Sequence, residues 1–176
     1  MKQPRSPKNK DWKFDLLARL SELCKETQFA SAFRPESKTG IHLAVFVEPY
    51  LDLLLRGKKT IESRFGVNRH APFEQIQSGD LLVVKKSSGP VCGICRVTDV
   101  WFYRLDPATW PEIERHSKAL CMDGSAFWQR KKAASFATLM QVEDVCVLPE
   151  FPIDKEDPRG WVVIKDSVLA AQGTLL

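Results

Sequence analysis

Apolar positions along this chain keep two rhythms. From Trp12 to Thr27, Phe14, Leu16, Leu17, Leu20, Leu23 and Cys24 recur at helical spacing, with Asp11 placed to cap the first turn. Ile41 to Val47 alternates and is β-branched, which predicts a first strand. Pro49 suits the first turn of a second helix, Tyr50 to Arg56 carries four leucines, and Gly57 is a natural stop. Strands follow at 61–65, 81–85 and 91–100, the last two around the Ser87-Ser88-Gly89-Pro90 turn, and 101–105 continues the pattern. The spacing predicts helices over 107–120 and 126–134, then a long extended segment over 135–148 ended by Pro149 and Pro152. Asp157-Pro158-Arg159-Gly160 is a turn signal before a last strand at 161–164.

About six strands interrupted by helices, without strict βαβ alternation, point to an α+β fold. The expected architecture is a small mixed or antiparallel β-barrel, partly closed and flanked by short helices, with an N-terminal helical extension. The expected divisions are 1–40 (basic tail, helix and linker), 41–166 (the folded domain) and 167–176 (a C-terminal tail).

Composition narrows the function classes. The 176 residues are 44% hydrophobic and 10% aromatic, ordinary for a folded domain. The net charge is +4, but Lys2, Arg5, Lys8, Lys10 and Lys13 against Asp11 account for all of it, so the remaining residues are formally neutral. A pI of 8.8 is therefore weak support for nucleic-acid binding by the domain itself. No run approaches the roughly 20 apolar residues of a membrane span. Five cysteines without a dense pattern suit a reduced, cytoplasmic protein. No metal or cofactor is expected. Cys92-Gly93-Ile94-Cys95 spells C-x-x-C, yet three-residue spacing in a strand predicts sulfurs on opposite faces. His42, His70 and His116 are scattered, with His70 nearest the candidate site in sequence.

The chemistry concentrates in Gly57-Lys58-Lys59-Thr60-Ile61-Glu62-Ser63-Arg64. In an extended segment Ile61, Ser63 and Phe65 share one face, and Thr60, Glu62 and Arg64 the other. That second face sets an acceptor-only carboxylate beside a five-donor guanidinium, with Lys58 and Lys59 just before them. Arg64 can hold a phosphate through paired donors, Lys59 can add a point charge, and Glu62 can accept from an exocyclic amine. The plainer account is a Glu62–Arg64 ion pair closing the rim of the fold. Tyr103, beside Trp101, Phe102 and Arg104, is a stacking candidate, as are Phe127 and Trp128 before Arg130-Lys131-Lys132. The plainer accounts there are core packing and a solvated helix face.

The octapeptide resembles the G-x-K-x-x-E-x-R signature of ASCH domains, the activating-signal-cointegrator homology group, whose barrel is similar to that of PUA domains. Ser78-Gly79-Asp80-Leu81, the segment Gly89 to Val97, and Val145 to Pro149 followed by Gly160-Trp161 resemble further elements of that family. The resemblance covers about residues 41–166 and implies a cleft for RNA or a nucleotide-like ligand, contacted by Lys58, Lys59, Thr60, Glu62, Arg64 and Tyr103. Some members resemble RNA-binding modules or nucleases. One group hydrolyses acetylated cytidine with a lysine, a threonine and a glutamate. Its lysine falls on Lys59, but its threonine falls on Glu62, and near Cys121 only Asp123 offers a carboxylate.

Three readings stay open. The chain is an RNA- or nucleotide-binding module, a hydrolase (amidohydrolase or ribonuclease) using Lys59 and Glu62 in the same cleft, or an adaptor that docks a protein through its N-terminal helix.

Overall fold

Helix α1 spans Trp12–Cys24, and Asp11 caps it by accepting from the Lys13 amide at 3.1 Å. It stops three residues before the expected end, where the Thr27 hydroxyl donates to the Cys24 carbonyl at 2.8 Å. The computed structural model describes residues 11–122 and 124–167, apart from the Ser125 side chain. The expected basic tail through residue 10, Asp123 and the expected C-terminal tail from residue 168 onward lie outside the described residues.

A 3-10 turn at Ala30–Phe33 occupies part of the expected linker. Strand β1 (Ile41–Phe46), helix α2 (Tyr50–Leu55) and strand β2 (Ile61–Gly66) follow. Then come β3 (Leu81–Lys86), β4 (Val91–Arg104), β5 (Phe136–Phe151) and β6 (Trp161–Lys165), with α3 (Trp110–Glu114), α4 (Ser117–Leu120) and α5 (Ser125–Lys131) between β4 and β5. The single helix expected over 107–120 is two short ones, with His116 stacked on Trp101 where they part.

The strands form one mixed sheet in the order β2-β5-β4-β3-β1-β6. β1 and β3 are parallel and the other pairs antiparallel. The sheet curls until its two ends approach each other, since Arg64 on β2 reaches both Val45 on β1 and Gly160 just before β6. It is a half-barrel whose final gap a side chain spans.

Apolar residues pack on both faces. Leu81 and Val83 pack outward with Leu16, Leu20 and Cys24 of α1, while Leu82 and Val84 pack inward with Leu51 and Leu54 of α2. Burying each such side chain stabilises the fold by roughly 1.5–3 kcal/mol. A third cluster joins Ile61, Tyr103 and Leu139 to Ile113, Leu120 and Trp128 of the α3–α5 layer. Helix α1 is thus part of the core, although its Phe14 is 69% exposed.

Two expectations fail at bulges. Pro149 does not end β5, because three residues, Leu148 to Glu150, stand opposite Cys92 alone, and a proline needs no ladder partner there. Cys92 is in turn the extra residue of β4 against β3, between Val91 and Gly93. The bulge breaks the alternation, so Cys92 and Cys95 share one apolar cluster instead of opposite faces. Both are free thiols, and burial pushes Cys95 up to about 12.

A buried polar node ties the far side of the sheet. Asp80 accepts from the Gly40 amide at 2.9 Å and the Gln77 amide at 3.0 Å, and meets His42 Nε2 at 3.2 Å. Trp161 Nε1, a donor only, gives to His42 Nδ1 at 3.2 Å, which leaves the His42 proton on Nε2, facing Asp80. A Cβ on Gly40 would fall 2.6–2.8 Å from the Asp80 carboxyl group, so only glycine fits there.

Candidate functional site

Gly57, at φ +69°, ends α2 in the left-handed region. The amides of Lys58 and Lys59 then both return to the Leu53 carbonyl at 2.9 and 3.0 Å. The turn that follows is pinned to α4. The Thr60 amide donates to Ala119 O at 3.0 Å, and Cys121 Sγ lies 3.5 Å from Lys58 O. This geometry turns Lys58 out to solvent and drives Lys59 inward, where it is 1% exposed.

Buried lysine needs partners, and Lys59 has them. Its Nζ donates to Leu120 O at 2.9 Å, lies 3.4 Å from Glu62 Oε2, and sits 5.6 Å from the Tyr50 ring centroid. Glu62 is itself 5% exposed. Its other oxygen, Oε1, lies 3.0 Å from Arg64 Nε. The Nε–H is not aligned on that oxygen, so the contact is an ion pair rather than a hydrogen bond. Arg64 Nη2 donates to Val45 O at 3.0 Å and Nη1 to Gly160 O at 3.4 Å, between the rings of Phe46 (5.2 Å) and Trp161 (5.3 Å). One carboxylate thus sits between two cations, as the strand pattern predicts for Glu62 and Arg64.

Beside this triad lies a cavity of about 270 Å³. Its lining includes Lys59, Glu62, Ser63 and Arg64, the aromatic rings of Phe46, Tyr50, Phe65 and Phe127, and Lys131 of α5. Lys131 Nζ lies 5.3 Å from the Phe127 ring centroid and 5.7 Å from that of Phe65. Burial, then the nearby charges of Arg130 and Arg64, lower its pKa. Ser63 Oγ is buried and has no hydrogen-bond partner. Three cations, one carboxylate and four aromatic rings face one hollow. Larger hollows exist, but among the described residues none combines a buried ion pair with aromatic walls.

The expected contact set is divided. Lys59, Glu62 and Arg64 line the cavity. Thr60 contributes backbone: its amide goes to α4 and its carbonyl accepts from Val142 at 2.9 Å. Lys58 faces solvent. Tyr103 lies outside the cavity lining, packed against α3 with its hydroxyl donating to Glu112 Oε1 at 3.1 Å. Burial and the Glu112 carboxylate raise it to about 12. Lys131, which sequence places on a solvated helix face, is a wall of the site. Its only signal was Phe127 one turn earlier. Phe46 and Tyr50 carried none, since both read as ordinary apolar positions.

The sequence pattern of the ASCH domain matches residues 45–152. This chain belongs to the ASCH family. No curated protein matches it. The ASCH protein of Zymomonas mobilis has the same fold, at 11% identity and a TM-score of 0.56, over 70% of this chain and 86% of that one. A substituted form of that protein gives 10% and 0.51, over 70% and 87%. An ASCH domain from Lactobacillus crispatus is 16% identical, with a TM-score of 0.46, over 80% of this chain and 98% of that one. The ASCH match begins inside β1, so α1, though packed into the core, lies outside it. Among the described residues no helix is long and apolar enough to cross a membrane, and no cluster of His, Cys, Asp and Glu could hold a metal ion.

Proposed function

We propose that this ASCH domain binds RNA by taking a nucleotide into the cavity between β2 and α5. The observation that carries the reading is the joint lining of Lys59, Glu62, Arg64 and Lys131 with four aromatic rings around about 270 Å³. Such a volume approaches that of small-ligand sites and suits one nucleotide. Aromatic walls accept the face of any base. Glu62, set between Lys59 and Arg64, is an acceptor for an exocyclic amine. Lys131 and the outer edge of Arg64 supply donors for a phosphate. Calorimetric titration with the four ribonucleoside monophosphates and a short mixed RNA tests this. Binding should weaken about tenfold in Lys131→Ala, the usual scale for one phosphate contact. Unchanged affinity in that variant rejects the reading.

A second reading rests on the buried Lys59–Glu62 pair, 3.4 Å apart on the cavity wall. Glu62 can take a proton from water while Lys59 stabilises negative charge on the attacked group. Mass spectrometry of acylated nucleosides and RNA incubated with the protein tests it. Product formed by the native chain and absent with Glu62→Gln supports a hydrolase, and no product from either class rejects it.

A further inference from the structure

We infer that the ligand is a single strand, running from the cavity already described through two more that share its walls; this rests on the nucleotide reading above. Arg64 and Phe65 line the first cavity and also a second, of about 200 Å³, completed by Asn68, His70, Phe73 and Thr138. His70 and Ala71 line that cavity and a third, of about 780 Å³, bordered by Lys13, Arg69, Arg159 and Asp166. The three hollows are thus neighbours that share lining residues.

The chemistry along the path suits a sugar-phosphate backbone with bases set aside from it. Cations recur from end to end: Lys59, Lys131 and Arg64, then Arg69, Arg159 and Lys13. Those of the third cavity are held in place yet keep donors. Lys13 Nζ uses one N–H on Val163 O at 2.8 Å and has two left. Arg69 pairs with Glu74 and lies 5.6 Å over the Phe73 ring. Arg159 pairs with Asp157, whose pKa it holds well below the carboxylate range. A guanidinium has five N–H groups, so neither pair exhausts it. These paired carboxylates, with Asp166, moderate the positive potential and predict a shallow salt dependence. Lys13 and Arg159 fall outside residues 45–152, so this end of the path is built in part by segments flanking the ASCH match.

A length series tests the inference: mononucleotides, then mixed-sequence RNA di- and tetranucleotides, titrated against the native chain, Lys131→Ala and the double variant Arg69→Ala/Arg159→Ala. Both arginines are exposed, at 48% and 69%, so the double variant should fold. Tetranucleotide affinity should exceed mononucleotide affinity by about a hundredfold, as stacking and phosphate contacts accumulate. The double variant should lose about tenfold on the tetranucleotide and nothing on the mononucleotide. Affinity independent of length, or a double variant equal to the native chain, overturns the strand path while a Lys131-sensitive mononucleotide keeps the single-nucleotide reading. Failure of every ligand to bind, or indifference to Lys131→Ala, overturns both.

Discussion

Arg64 on β2 donates to the carbonyl of Val45 on β1 at 3.0 Å, across a gap that no strand pairing spans. β2 is the edge strand at one end of the sheet order and β1 is the second strand from the other end, so the side chain joins what the backbone leaves open. Arg64→Ala removes this bridge and leaves Glu62 with Lys59 alone. It should destabilise the domain by about 2–4 kcal/mol, read as a shift in the urea midpoint. Arg64→Lys should recover part of that loss, because an ammonium keeps the charge but not the fork. A loss near zero in Arg64→Ala would show that the gap needs no bridge.

Gly40→Ala should cost about as much, although Gly40 does not line the cavity. The added methyl would displace the Asp80 carboxylate, which four donors hold, the Ser167 hydroxyl among them. Strain and lost hydrogen bonds together predict about 2–4 kcal/mol. The His42 imidazole signals in an NMR spectrum should shift with it, and a native spectrum and midpoint would refute the packing argument.

Tyr103 gives the fold an alkaline limit. Its pKa is raised from 10.0 to about 12, so between these values the folded chain holds a proton that the unfolded chain releases. Stability from this group is complete below pH 10 and falls as pH rises toward 12. Tyr103→Phe should flatten that decline in urea midpoints taken between pH 9 and 11, relative to the native chain; parallel declines would discount the effect.

Lys131 should make anion binding fade early on the alkaline side. Its pKa is lowered from 10.5, chiefly by burial, so the charge is lost as pH rises through a value below the ordinary lysine range. Lys131→Arg, which stays charged, should hold nucleotide affinity constant over the same interval. If both proteins lose affinity together, another group governs the titration.

Thiol labelling should sort the cysteines by burial. Cys121 and Cys146 are partly exposed and should react with an aromatic disulfide in the native state, whereas Cys24, Cys92 and Cys95 should wait for unfolding. Prompt labelling of Cys95 would contradict its packing.

Sequence revealed the elements whose signals are local. Gly57 marks the end of α2, and the two-residue period sets Glu62 beside Arg64. Bulges escaped it, because whether Cys92 or Pro149 is a residue in excess of its partner strand depends on that strand. The surroundings of Tyr103 and Lys131 escaped it for the same reason. Tyr103 meets Glu112 through the position of α3, and Lys131 meets the cavity through the position of α5, and neither placement has a periodicity to announce it. The alternation did foretell that Arg64 would face Glu62, but not that two carbonyls from the other end of the sheet would be waiting for it.

The cavity's walls come from β1, α2, β2 and α5, so no continuous peptide can reproduce it. An occupant would hold segments distant in the chain together and, by binding only the folded state, would raise the free energy of unfolding. Whatever fills the hollow therefore also acts as a clasp, and protection from proteolysis would disclose it before any assay of activity is devised.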